Sequence, residues 1–141
     1  MSRLYNILRK IITIIPKSTF SRFTGFDNVS MSSGTSSYTL IGSVTVPAGH
    51  GIVQGCVNFG DTTNATGSRR ALISTTSSSP SSARNNSVIA KAADGGVTIL
   101  QVSVFVQNST DTTYYLFGMQ SSGNTLSVNA SIGYWIESAD E

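Results

Sequence analysis

Apolar and polar side chains alternate along much of this chain with a period of two residues. The alternation is cleanest at residues 125–136, where Leu126, Val128 and further apolar residues share one face and small polar residues occupy the other. The same pattern recurs at residues 38–46, 53–59 and 100–106. Successive side chains of a strand point to opposite faces, so each segment predicts a half-buried β-strand. In the segment 38–46, the predicted inward side chains are Tyr38, Leu40, Val44 and Val46.

Turn-forming residues separate these segments. Pro47 and Gly49 end the first strand, because proline cannot donate a backbone hydrogen bond and glycine permits a reversal. Polar stretches follow the later strands, at residues 60–68, 76–87, 94–96, 108–111 and 121–124. About eight strands result, and their spacing predicts an all-β fold, an antiparallel β-sandwich of the jelly-roll type.

The segment 112–120 differs from the other strands because it is apolar on both faces. Tyr115 and Phe117 point one way, and Tyr114 and Leu116 point the other. A strand of this kind is covered on both faces, and the core of a single sandwich covers only one. We therefore predict that Tyr114, Tyr115 and Phe117 lie in the interface of a homotrimer.

A short N-terminal α-helix is predicted for residues 2–15, because Pro16 ends the pattern. Its apolar stripe follows two heptads and includes Leu4, Ile7, Leu8, Ile11 and Ile14. Isoleucine at both core positions of a heptad favours three-stranded packing. Two heptads are marginal in water, so we expect the helix to pack with sister chains or to dock on another protein. Packing on its own domain and lying on a membrane surface are the alternatives.

Charge divides the chain into two parts. Residues 1–25 carry five basic side chains and no acidic one, whereas residues 26–141 carry four basic and seven acidic side chains. This asymmetry predicts parts with different partners. The first is a helix and linker at 1–25 for attachment or trimerisation, and the second is a β domain at 26–141 that begins near Phe26.

Composition supports the β assignment. Charged residues make up 11% of the chain, whereas 24 serines and 16 threonines supply many of its polar positions. Threonine suits strands and serine suits turns.

The single cysteine, Cys56, excludes an intrachain disulfide. The sequence has no apolar run of about 20 residues that would span a membrane. The apolar run at 11–15 is too short for a signal peptide, so we expect no secretion by that route.

Few residues could carry catalysis. His50 and Cys56 form the one possible nucleophile–base pair, but six residues of strand would hold them about 20 Å apart. Three symmetry-related His50 side chains around a metal ion on a trimer axis, and a turn aspartate acting as a hydrolase acid, are the alternatives. Phosphate-loop, zinc and dinucleotide motifs are absent from the sequence. We expect no catalytic residue, cofactor or metal site.

Arg69 and Arg70 form the basic pair of the predicted domain. Neighbours on a strand point to opposite faces, so we expect one arginine at the sheet edge and the other free to meet an acidic ligand. Arg84, in a loop, is a third candidate ligand contact. Loops 60–68 and 76–87 are the expected place of a receptor site. Nucleic acid is not an expected partner, because the predicted helix is more apolar than basic and aromatic platforms are lacking.

Four motifs are specific enough to compare with known families. They are Thr-Val-Pro-Ala-Gly at 45–49, the strand ending in Phe59, the stretch 64–73, and the aromatic strand followed by residues 120–126. Together they resemble the C-terminal head domains of phage tail fibres and related virion proteins, over residues 36–136. The resemblance implies a trimeric jelly roll similar to that of tumour necrosis factor. Residues 4–8 also look like the helical start of small phage structural proteins.

About 35 residues precede the stretch that resembles a fibre head, whereas a tail fibre has a long shaft before its head. We predict a non-enzymatic phage virion protein, assembled in the host cytoplasm. It would be a homotrimer, joined to other virion proteins through its helix, whose loops can contact a host-surface glycan or protein. The alternatives are a capsid decoration or head-fibre protein without a receptor, a baseplate part, and a lectin-like carbohydrate-binding domain.

Overall fold

The computed structural model describes residues 19–34, 37–60, 66–78, 87–91 and 97–138. All regular secondary structure in these ranges is β. The eight strands are β1 (Thr19–Met31), β2 (Thr39–Val46), β3 (Gly49–Phe59), β4 (Ser68–Ser74), β5 (Ser87–Lys91), β6 (Thr98–Asn108), β7 (Thr112–Gln120) and β8 (Leu126–Ser138). The predicted helix, with Leu4, Ile7, Leu8, Ile11 and Ile14, lies outside the described residues.

The strands form two four-stranded sheets. The first sheet has the order β1-β8-β3-β6 and the second the order β2-β7-β4-β5. All named strand pairs are antiparallel and nested, β1 with β8, β2 with β7, β3 with β6 and β4 with β5. The chain is thus one long hairpin rolled into two layers, which is the connectivity of an eight-stranded jelly roll. The predicted antiparallel sandwich is confirmed.

The core lies between the two sheets and is built from the inward positions of the strands. Phe59, Leu116 and Ile132 are among its largest fully buried side chains. In β8 the predicted alternation is confirmed, since Val128, Ile132 and Ile136 are buried and the polar positions between Leu126 and Ile132 face outward. Each such side chain contributes roughly 1.5–3 kcal/mol relative to an exposed one.

Strand β1 begins at Thr19 rather than near Phe26. Residues 19–26 pair with residues 130–137 of β8, so the linker prediction is wrong for residues 19–25. A bulge after Phe26, with Asn28 at φ 54°, shifts the register and breaks the simple alternation. The Phe26 ring packs over Gly42 of β2, where a Cβ would occupy the space of the ring.

A second bulge changes the inward face of β2. The register shifts between Leu40 and Gly42, so that Ile41 is the extra residue. Ile41 is 7% exposed and Leu40 is 44% exposed. The prediction that Leu40 points inward is therefore wrong, whereas Val44 and Val46, beyond the bulge, are buried as predicted.

Candidate functional surface

The outer face of the first sheet carries four apolar side chains that we call the aromatic patch: Phe23, Ile52, Phe105 and Trp135. The register places Trp135 beside Ile52 and Ile52 beside Phe105, so these three form one row across β8, β3 and β6. Since strands lie about 4.8 Å apart, the row spans roughly 10 Å. Phe105 is 88% exposed, and Phe23 and Trp135 are also exposed. Contiguous apolar area of this kind marks a contact surface.

Phe23 and Trp135 hold each other in place. Their rings meet edge to face, with centroids 4.5 Å apart and planes at 66°. Gly133 lies opposite Phe23 in the register, and a Cβ at that position would collide with the Phe23 ring. Aromatic pairs of this geometry contribute about 0.5–1.5 kcal/mol beyond their buried area. The patch is thus preformed in the single chain.

Polar side chains border the aromatic patch on two sides. On one side, His50 Nε2 lies 3.1 Å from Glu137 Oε2, and both side chains are about half exposed. On the other side, Gln54 pairs with Ser103 in the next outward row of the sheet. An apolar centre with a hydrogen-bonding border is the arrangement found in protein–protein interfaces and in ligand sites.

The aromatic patch was not among the predicted site residues, although the sequence carries a signal for it. Phe105 shares the outward positions of β6 with Gln101 and Ser103, and Trp135 shares those of β8 with Ser131. A large apolar residue on the polar face of a strand points away from the core. Such a residue indicates a surface that is covered by something else.

The two arginines of β4 point to opposite faces, as predicted, but Arg69 is the buried one. Its Nη1 donates to the carbonyl oxygens of Thr66 and Ser68, both at 3.3 Å. Burial lowers the pKa of the Arg69 guanidinium. Arg69 therefore offers no surface to a ligand, which corrects that candidate. Arg70 is half-buried on the outer face of the second sheet, and Arg84 lies outside the described residues.

The three residues predicted for the trimer interface have different environments. Tyr114 is 7% exposed and belongs to the core cluster, and its hydroxyl donates to Asn108 Oδ1 at 2.8 Å. Burial raises the Tyr114 pKa, and this hydrogen bond opposes the rise. Phe117 points to the other face and is 1% exposed in the single chain. Tyr115 alone of the three keeps partial exposure. The strand is covered on both faces, as predicted, but one chain is sufficient to cover it.

The remaining candidate residues do not assemble into a reactive group. His50 and Cys56 lie on one face of β3 but pair with Glu137 and Ser131, in different rows. In the described ranges, no group of three or more His, Cys, Asp or Glu side chains could hold a metal ion. Asp111 accepts a backbone hydrogen bond from Ala48 at 3.3 Å, which is an ordinary turn role. No helix in the described part of the chain is long and apolar enough to cross a membrane.

Solved viral proteins have a similar fold. The VP2 subviral particle of infectious bursal disease virus matches with a TM-score of 0.58 and 12% identity, covering 84% of this chain and 33% of that chain. The Gx strain of the same virus matches with a TM-score of 0.60 and 10% identity, covering 89% and 34%. The PRD1 vertex protein P5 matches with a TM-score of 0.51 and 13% identity, covering 86% and 98%.

At these identities the likeness concerns the fold. The chain spans about a third of the bursal disease virus chains and nearly all of the PRD1 chain. No protein-family model matches the sequence, and neither does any curated protein. The predicted phage tail-fibre head and the trimer similar to tumour necrosis factor stay predictions.

Proposed function

We propose that this chain is a non-enzymatic structural protein of a virus particle. The observation that carries the proposal is the jelly-roll fold, which is similar to the fold of a viral particle protein and of a vertex protein. Because one fold can serve many functions, the proposal also draws on the aromatic patch. A preformed apolar surface with a polar border is what a protein that assembles with others requires.

The direct experiment is to locate the protein in particles. Virus particles purified from the host that makes the chain should contain it in a fixed number of copies, measured by mass spectrometry. Image reconstruction should then place its two-layered density in a shell, at a vertex or at the tip of a fibre. A chain that stays entirely in the particle-free fraction would contradict the proposal.

Residues 1–18 are the proposed attachment segment, with four basic and no acidic side chains. Burying the seven leucines and isoleucines of its apolar stripe would yield on the order of 10 kcal/mol, which a partner can supply. Thr19 pairs with Glu137, so this segment joins the sandwich at the sheet end that carries His50 and the aromatic patch. The homotrimer is proposed on the heptads at 4–14, since β7 leaves little area for it.

Deletion of residues 1–18 tests the attachment role. We expect a soluble domain with an unchanged far-UV β signal that no longer joins particles. The deletion stops at residue 18 because residues 19–25 pair with β8. As a matched variant, reversing the charge of Arg9 and Lys10 should weaken attachment in a salt-dependent manner if the partner surface is acidic. Particles that incorporate the shortened chain at the normal level would show that the sandwich itself attaches.

A second candidate function, recognition of a host glycan, is favoured by the border of the aromatic patch. A shallow depression of about 380 Å³ lies between Trp135, Phe105 and the His50–Glu137 pair. Aromatic faces can pack on the apolar face of a sugar ring while the polar side chains bind its hydroxyls. Replacing Trp135 with alanine should then lower binding to host cells at least tenfold. Replacing the exposed Ile89 of β5 should not, and equal binding by both variants would favour a purely structural role.

A further inference from the structure

The two sheets have four edge strands, and three of them carry features that discourage pairing with another chain. Strand β1 has a bulge and the charged residues Arg22 and Asp27. Strand β2 has a bulge at Ile41 and is followed by Pro47. Strand β5 is five residues long and ends in Lys91. Charges, bulges, proline and short length are the recognised ways of protecting an edge.

Strand β6, the fourth edge, has none of these features. Its 11 residues, Thr98–Asn108, include no charged residue and no proline. Its register with β3 is continuous from Phe59↔Thr98 to Gly49↔Asn108, without a bulge. Its outward face carries Ile99, which is 55% exposed, and Phe105, which is 88% exposed. A long, regular and uncharged edge with exposed apolar side chains is a template for a further strand.

The order of side chains along β6 indicates which strand would pair at this edge. Outward positions read Ile99, Gln101, Ser103, Phe105 and Gln107. From Ile99 to Phe105 an apolar residue stands at each end and two polar residues stand between them, and this part of the strand is symmetric about Val102. An antiparallel copy of the same strand, related by a two-fold axis at Val102, would place each apolar residue opposite an apolar one. A two-fold interface requires a surface that is complementary to itself.

We propose that β6 pairs with β6 of a second copy of this chain, antiparallel and centred on Val102. Ile99 then faces Phe105 of the second copy, and Gln101 faces Ser103. Directly opposed side chains on one face have Cβ atoms about 4.5–5.5 Å apart, close enough for apolar contact. The first sheet of one copy and the first sheet of the other, four strands each, then become one continuous eight-stranded sheet. The apolar row of Trp135, Ile52 and Phe105 is thereby extended into the second molecule.

This pairing deepens the proposed function, on which it rests, because a protein that builds a particle must contact further copies of itself. Edge pairing uses β6, whereas a trimer built on the predicted heptads would use residues 4–14. The two contacts can therefore exist together. If the two contacts close in dihedral symmetry, the assembly has six chains, whereas edge pairing alone gives two. Either number is an even multiple of 14.9 kDa.

Disulfide trapping between two single variants tests the register. Both are made in the full chain with Cys56 replaced by serine, one carrying Ile99→Cys and the other Phe105→Cys. In the proposed dimer, position 99 faces position 105, while like positions are separated by about 20 Å along the strand. A mixture of the two variants should thus form a covalent dimer on oxidation, seen in non-reducing electrophoresis. Each variant alone should form none.

The mixed dimer keeps one native pair, Phe105 with Ile99, so the substitutions do not remove the contact being tested. Absence of a covalent dimer in the mixture overturns the pairing. Equal amounts of covalent dimer in the mixture and in either variant alone overturn the register centred on Val102.

Light scattering of the full chain at micromolar concentration provides the second test. Phe105→Lys should halve the measured mass, because it opposes a charge to an apolar side chain. Ile89→Lys is the matched control, since Ile89 is an exposed apolar residue on β5, an edge strand of the other sheet, and it should leave the mass unchanged. An unsubstituted chain with an odd number of copies, or a mass unaffected by Phe105→Lys, overturns the proposal. If the edge pairing is wrong and the proposed function is right, the chain is still found in purified particles. If the proposed function is wrong, the chain is absent from them.

Discussion

At the scale of single residues, the side-chain amide of Gln120 holds one end of the sandwich together. Gln120 is fully buried, and its Nε2 donates to the carbonyl oxygens of Met31 at 3.1 Å and Asn124 at 2.6 Å. Its Oε1 accepts from the backbone nitrogen and the hydroxyl of Ser122, at 2.8 and 2.6 Å. This one side chain therefore connects β1, β7 and the turn before β8.

Gln120→Leu is expected to lower the free energy of unfolding by roughly 2–4 kcal/mol, because it leaves several buried polar groups without partners. Urea denaturation followed by circular dichroism measures the change. Gln107→Leu is the control, since Gln107 is exposed on β6 and should change stability by less than about 0.5 kcal/mol. Equal losses in the two variants would contradict the role given to Gln120.

Burial of Tyr114 makes stability depend on alkaline pH. Its pKa is raised by desolvation, so the unfolded chain loses the phenolic proton at a lower pH than the folded chain does. Over that interval the unfolded state binds fewer protons, and stability therefore falls as pH rises above about 10. Tyr114→Phe should be about 1 kcal/mol less stable at neutral pH, through loss of the bond to Asn108. Its stability should fall less between about pH 9 and 11 than that of the unsubstituted chain; equal falls would contradict this account.

At the scale of elements, the contact between β1 and β8 depends on the missing side chain of Gly133. In Gly133→Ala the new methyl group meets the Phe23 ring and the carbonyl oxygen of Arg22. We expect a loss of about 1–3 kcal/mol in stability and a red shift of tryptophan emission, since Trp135 is the single tryptophan of the chain. Gly25→Ala, where the nearest atom is 4.0 Å away, should change neither property. An unchanged emission spectrum in Gly133→Ala would contradict the contact.

The inward face of a strand could be predicted where the alternation is regular, and it could not where a bulge intervenes. The period of two identified β3, β6 and β8 because their inward positions are almost all apolar. In β1 and β2 one extra residue exchanges the two faces partway along the strand, which turns Leu40 outward and Ile41 inward. Bulges are set by pairing with a distant strand, and that pairing is invisible in a local pattern.

At the scale of the whole molecule, the sandwich was predictable and its contact surfaces were not. The surfaces depend on which strands lie at an edge, and the edges follow from the order of all eight strands. Arg69 was also not predicted to be buried, since arginine is rarely buried, and its carbonyl partners are the first residue of β4 and a residue of the turn before it. The predicted loops are only partly described, because residues 61–65 and 79–86 lie outside the described ranges.

The nested pairing also determines the order of events during synthesis. Among the described strands, β1 pairs with β8 alone, so Thr19 meets Glu137 after nearly the whole chain has left the ribosome. Contacts between residues so far apart form slowly, and we expect refolding on the scale of milliseconds to seconds. Throughout that interval both edges of β1 are open to neighbouring nascent chains. Arg22 and Asp27 then act as gatekeepers against aggregation, before the fold in which they stand at an edge exists.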